Sequence, residues 1–134
     1  MASRLEKDRS EGDSMATPEV RQYRWDEMPH EQVTGEITRK VITGEREMMA
    51  RVCLKQGAIV PTHDHESEQM TYILEGALTF DINGGSIILR AGDVLCIPSW
   101  VAHRAEALED TVELDVFSPI RQDWIDKTDD YFRR

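Results

Sequence analysis

The stretch that most restricts what this chain can become is ALTFDINGGSIILR, residues 77–90. Apolar side chains alternate on both sides of Asn83-Gly84-Gly85, and Asn and Gly are the residues that accept the positive φ angles of a tight hairpin turn. Successive side chains of a strand point to opposite faces, so each arm offers one face to a core. The same punctuation recurs along the chain. EITRKVITG (36–44) and EMMARVCLK (47–55) read as a second hairpin turned by Gly44-Glu45. Ala91-Gly92-Asp93 is a further turn, followed by VLCIP, AHRAEAL and VELDVFSP, while VRQYRW (20–25) is expected to open the fold as a strand. Only RQDWIDKTDDYF offers a helix, short and close to the C-terminus. Many short strands separated by turns predict an all-β domain, most simply a jelly-roll β-barrel.

Length and charge narrow the class. A chain of 134 residues supports one domain with one core. Residues 1–19 are polar and charged and read as a flexible arm, leaving 20–134 as the single folded domain. The net charge of −10 argues against nucleic acid or an anionic membrane as a partner. No apolar run approaches the ~20 residues of a membrane span, and the N-terminus lacks a signal-peptide core, so a cytoplasmic location is expected. Cys53 and Cys96 sit in apolar runs and read as reduced core residues, and Met48, Met49 and Met70 as core filler.

PTHDHESEQMTYILEG (61–76) holds two of the four histidines. His63 and His65, two apart, can share one face of an extended segment. Gln69 follows after a bend, with Thr71 on its face, and His103 lies beyond the Pro98-Ser99-Trp100 bend. Three imidazoles and an amide oxygen suit one divalent transition metal: Zn, Ni, Fe(II), Mn or Co. The same residues are open to two plainer readings: surface histidines on a loop, or a three-histidine site to which Gln69 only donates a hydrogen bond. If a metal is held, four neutral ligands leave its full dipositive charge in place, which favours Lewis-acid chemistry on anionic substrates.

The spacing of Gly57, His63, His65, Gln69 and Gly76 resembles the first motif of the cupin superfamily, and Gly92, Pro98 and His103 resemble the second. Three positions depart from the pattern: Gln69 stands for the usual glutamate, Trp100 for a glycine and Ala107 for a common asparagine. The resemblance implies a cupin β-barrel with His63, His65, Gln69 and His103 as metal ligands near its mouth. The tail ALEDTVELDVFSPIRQDWI is similar to that of KdgF-type pectin-degradation cupins. In that family an Asp-X-Phe-X3-Arg pattern lines the pocket, which falls here on Asp115, Phe117 and Arg121. The implied activity is conversion of cyclic 4,5-unsaturated uronates to the linear keto form, with Asp115 as general base, Arg121 as carboxylate clamp and Phe117 against the sugar.

The residues themselves leave the facing of this last strand open, because Val112, Leu114 and Val116 alternate with Glu113, Asp115 and Phe117. An inward acidic set needs the aliphatic set covered from outside, which predicts a two-fold homodimer through an outer sheet face. Two other functions compete with the isomerase: a non-haem Fe(II) dioxygenase, and a non-catalytic sugar- or ligand-binding cupin.

Overall fold

The computed structural model describes residues 18–133, so the expected arm lies outside the described residues except for Pro18 and Glu19, which are exposed and irregular. Ten strands follow in chain order: β1 (Glu31–Gln32), β2 (Ile37–Thr43), β3 (Met48–Leu54), β4 (Ile59–His63), β5 (Glu68–Glu75), β6 (Ala77–Ile82), β7 (Gly85–Arg90), β8 (Val94–Ile97), β9 (His103–Ala107) and β10 (Thr111–Ser118). A one-turn helix α1 (Gln122–Ile125) and a 3₁₀ turn over Asp130–Arg133 close the chain.

The strands form two antiparallel sheets of order β1-β2-β3-β10-β5-β8 and β4-β9-β6-β7, the two-layer arrangement of a jelly roll. Both hairpins are present. Ile37 pairs with Leu54 and Thr43 with Met48 in the first. In the second, Ile82 pairs with Gly85 across Asn83 and Gly84, whose φ angles of 54° and 78° are those of a type I′ turn. Between the layers lie Ile37, Val52, Leu54, Ile73, Leu78, Phe80, Leu89 and Ile97. Each such side chain contributes ~1.5–3 kcal/mol on leaving water.

The strand with the largest consequence is β10. Its inward residues are Thr111, Glu113, Asp115 and Phe117, all buried, while Val112, Leu114 and Val116 face out and are half-buried. The polar set is therefore interior and the aliphatic set exterior.

Three expectations are corrected. VRQYRW is not a strand: residues 20–24 are irregular and Trp25–Glu27 form a 3₁₀ turn. The alternation there yields no apolar stripe, Val20 and Tyr23 stay exposed, and the sheet edge falls instead to β1. Cys53 and Cys96 are free thiols outside the core, half-buried and exposed respectively. Met48 is core, but Met49 and Met70 take the outward positions of their strands. In each case an apolar run identified the strand but not the face. No helix among the described residues is long and apolar enough to cross a membrane.

Gly76 joins β5 to β6 at φ 90°, and a Cβ there would run into the Asp110 carbonyl oxygen and the backbone of Thr111. Gly76→Ala is therefore expected to cost about 3 kcal/mol or more of stability, read from a chemical denaturation midpoint.

Candidate metal centre and adjoining cavity

The histidines are brought together by strand pairing. His63 ends β4, His103 begins β9, and the two are direct partners in the ladder, with ring centroids 4.4 Å apart. His65 lies just past β4, its ring 5.5 Å from that of His63 and 5.1 Å from that of His103. One nitrogen from each of the three lies within 4.8 Å of the others. The loop carrying His65 is fastened at two points. The Trp100 amide donates to the His65 carbonyl at 2.8 Å, and Ser67 Oγ donates to the Pro119 carbonyl at 2.6 Å. Trp100, where the resembling motif has glycine, sits in the left-handed region at φ 65° and is 65% exposed, outside the cavity lining.

Each imidazole has its Nδ1 against a backbone carbonyl: His63 on Pro61 at 2.9 Å, His65 on Ser67 at 2.8 Å, His103 on Val101 at 2.8 Å. A carbonyl only accepts, so Nδ1 carries the proton in all three and Nε2 is left with its lone pair. Burial, reinforced by the neighbouring rings, pulls His63 down to about 3, and burial with the nearby Arg121 pulls His65 down to about 4. Burial lowers His103 as well. The cluster is neutral at physiological pH and ready to donate to a cation.

Gln69, the second residue of β5, supplies the decisive detail. Its Nε2 donates to Thr71 Oγ1 at 2.8 Å, and Thr71 Oγ1 donates onward to Asp115 Oδ1 at 2.7 Å. That direction fixes the amide with Oε1 toward the histidines, 3.1 Å from His65 Nε2. Two lone pairs thus face each other across a buried gap, an opposition that a cation between them relieves. The donor set therefore fits a divalent metal held by His63, His65, His103 and Gln69.

Beside the cluster is a cavity of about 40 Å³, lined by His63, Gln69, His103, Asp115, Phe117 and Arg121 among others. Of the residues expected from sequence, His63, Gln69, His103, Asp115, Phe117 and Arg121 line this cavity, and His65 joins them only through the histidine cluster. A groove of about 640 Å³ lies at the opposite end of the barrel, around Gly35, Lys55 and Asp110, with no histidine in its lining. Asp115 is 4% exposed, and burial pushes its carboxyl up to about 6, against the lowering effect of the Thr71 hydroxyl. Arg121 holds Asp123 in a fork, Nε to Oδ1 at 2.9 Å and Nη2 to Oδ2 at 2.8 Å, and its Nη2 also donates to Tyr131 Oη at 3.0 Å.

Sequence reasoning missed Arg39, Glu113, Trp124 and Tyr131, all of which line the same cavity. Tyr131 stacks on His63 at 4.1 Å with the rings 5° from parallel, closing the mouth. Trp124 lies between two guanidiniums, 4.1 Å from Arg39 and 4.8 Å from Arg121. The only signal for Arg39 was its place in step with Ile37 and Val41 on one face of β2; nothing in the DYF triplet marked Tyr131.

Because burial disfavours the charged imidazolium, the metal-free protein should leave His63 and His65 unprotonated far below the usual imidazole range. An NMR titration of their ring protons is expected to show no transition between pH 7.5 and 5, with protonation only near pH 4 and below. A transition near 6.5 would contradict the buried geometry.

Comparison with known proteins gives a consistent picture. The cupin domain family matches residues 50–118. The pectin degradation protein KdgF of Dickeya dadantii is 35% identical over 103 residues, covering 75% of this chain and 94% of that protein. Among solved structures, KdgF from Halomonas sp. superposes with a TM-score of 0.72 at 32% identity, over 76% of this chain and 97% of its own. An RmlC-like cupin from Shewanella frigidimarina gives 0.72 at 26% identity, over 76% and 93%. The jelly roll, the paired-strand histidine cluster and these likenesses agree: the chain belongs to the cupin family.

Proposed function

We propose that this protein is a divalent-metal-dependent enzyme that opens the ring of 4,5-unsaturated uronates, the fragments released when lyases cut pectin-type polysaccharides. The observation that carries the proposal is the convergence of Asp115, Phe117 and Arg121 with His63, Gln69 and His103 on one cavity. Likeness to a pectin degradation protein, at 35% identity, supports it. A divalent ion held by the three histidines and Gln69 would supply Lewis-acid stabilisation of negative charge developing on substrate oxygens.

The rest of the chemistry falls to side chains. Arg121 binds the uronate carboxylate in the fork it now offers to Asp123. The Asp115 carboxylate removes the anomeric hydroxyl proton. As the C1 carbonyl forms, the bond from C1 to the ring oxygen breaks and its electron pair moves onto that oxygen, in conjugation with the 4,5 double bond. Proton return to C4 then leaves the linear keto acid, with no net change in protons. Thr71 holds Asp115 in place for this role. Burial that raises Asp115 to about 6 makes it a better base than an exposed carboxylate while leaving it largely ionised at pH 7. Phe117, whose ring lies 5.2 Å from the Arg121 guanidinium, offers the sugar a flat apolar wall.

At about 40 Å³ the cavity is far below the ~300 Å³ at which small-molecule pockets begin. Substrate entry therefore requires Tyr131 to leave His63 and the turn over Asp130–Arg133 to move outward. We further propose a two-fold homodimer through the outer face of the larger sheet. Met70, Tyr72 and Val94 are 49%, 40% and 59% exposed on that face, beside the half-buried Val112, Leu114 and Val116.

Turnover of a lyase-generated unsaturated uronate, followed by NMR with Zn, Ni, Mn, Co or Fe(II) present, is the direct test. Asp115→Asn should lower kcat by ~10²–10⁴-fold with metal retained. Arg121→Lys should act chiefly on KM, because an ammonium cannot form the forked pair. Wild-type inactivity with every metal would sink the proposal, and oxygen uptake with Fe(II) would then point to a dioxygenase. Light scattering at micromolar concentration should give about twice the chain mass of 15.4 kDa.

A further inference from the structure

We infer that Glu113 is the specificity-determining residue at the closed end of the cavity, where its carboxyl engages a hydroxyl of a polyhydroxylated ligand whose carboxylate lies at Arg121. The inference rests on the uronate reading and names the part of such a ligand that the site selects.

Three observations carry it. Glu113 is 5% exposed and lines the cavity beneath Asp115, two residues away on the same inward face of β10. Its Oε2 is the one buried side-chain oxygen among the described residues that has no hydrogen-bond partner. Its strand neighbours, Val52 on β3 and Ile73 on β5, are hydrocarbon and offer none. The nearest candidate cation by register is Arg39, which pairs with Val52 in the same row across the sheet, but its guanidinium is already committed. Nε and Nη2 donate to Glu31 at 3.0 and 3.2 Å, and Nη1 donates to Asp129 at 2.8 Å.

Asp115 accounts for one hydrogen bond of the Glu113 carboxyl, and a purely structural core has no use for the oxygen that is left over. Leucine would fill the space between Val52 and Ile73 without stranding an oxygen, since buried polar groups are almost always paired. A stranded buried oxygen is what a binding site looks like before its ligand arrives. Burial, and then the neighbouring Asp115 charge and a hydrogen bond to the Asp115 side chain, hold the Glu113 carboxyl well above the usual carboxylate range, so at neutral pH it is protonated, gives its proton to Asp115 and keeps an oxygen free to accept. The free oxygen of a neutral carboxyl of this kind accepts from an alcohol and offers no ion pair to a second charge. The cavity thus has a cation at one side for a carboxylate, neutral imidazoles beside it, and a hydroxyl-matching group at its end. Such a site rejects a ligand lacking the hydroxyl, because the polar group is then left unpaired.

The test uses the zinc-loaded full-length protein, titrated calorimetrically with D-galacturonate and with its 2-deoxy and 3-deoxy counterparts, beside thermal melts without sugar. Wild-type is expected to bind at least one deoxy counterpart ~10–100-fold more weakly than galacturonate. Glu113→Leu should erase that difference and, because the stranded oxygen is gone, should melt at a higher temperature than wild-type. Glu113→Met, nearly isosteric, carries the same two expectations if the leucine variant does not pack, and Glu113→Gln should keep most of the discrimination. Glu113→Leu or Glu113→Met that discriminates as wild-type does, or that melts lower with discrimination intact, would overturn the inference and leave the uronate reading standing. Wild-type that binds no uronate would remove both together.

Discussion

The structure depends on the facing of β10. This strand lies between β3 and β5 in the middle of the larger sheet, so its register sets the facing of everything beside it. A slip of one residue would turn Glu113, Asp115 and Phe117 outward and bring Val112, Leu114 and Val116 into the barrel. The observed register accepts two buried carboxyls and leaves aliphatic side chains on the outside. It holds because Phe117 seats against Trp124 at 5.0 Å and the Thr71 hydroxyl donates to Asp115. The interior is a built cavity and not a maximally apolar core.

The candidate metal site follows the same logic on a smaller scale. Backbone carbonyls decide which nitrogen of each imidazole is free, and Thr71 decides which end of the Gln69 amide faces the cluster. The hydrogen-bond chain from Gln69 through Thr71 to Asp115 then joins the amide that faces the histidines to the carboxylate assigned as base. A donor on one group sets the lone pair of the next, so the polarity of the whole string is fixed by connectivity. Gln69 also explains why the string works: glutamate at that position has no N–H to give Thr71, which would break the chain at its first link.

Strands and turns were legible because period-two alternation and Asn-Gly punctuation are local. The histidines were legible because their spacing is a property of two strands, and the pairing of His63 with His103 only completes it. Facing was not legible. Met48 and Met49 are chemically identical neighbours, and only the position of the second sheet decides which is core. The resemblance of the tail implied an inward Asp115, whereas the alternation of Val112, Leu114 and Val116 with the acidic set left the facing open. Trp124, Tyr131 and Arg39 escaped notice because their roles come from contacts between segments far apart in sequence, as with Tyr131 on His63, Trp124 under Arg39 and the Arg39 to Asp129 pair. VRQYRW failed for the opposite reason, since β-propensity without an apolar face gives a strand nothing to pack on.

Arg39 has a consequence of a different kind. Its guanidinium holds Glu31 of β1 on one side and Asp129, next to the turn that closes the mouth, on the other, and Glu31 also meets Lys127 at 3.3 Å. The sheet edge near the start of the fold and the cover over the cavity near its end are therefore terms in one equilibrium. Whatever draws the cover outward releases a buried cation from one of its two anions, and whatever loosens β1 does the same from the other side. A ligand that enters by displacing this cover would therefore be linked to order at the sheet edge, and by reciprocity each would report on the other.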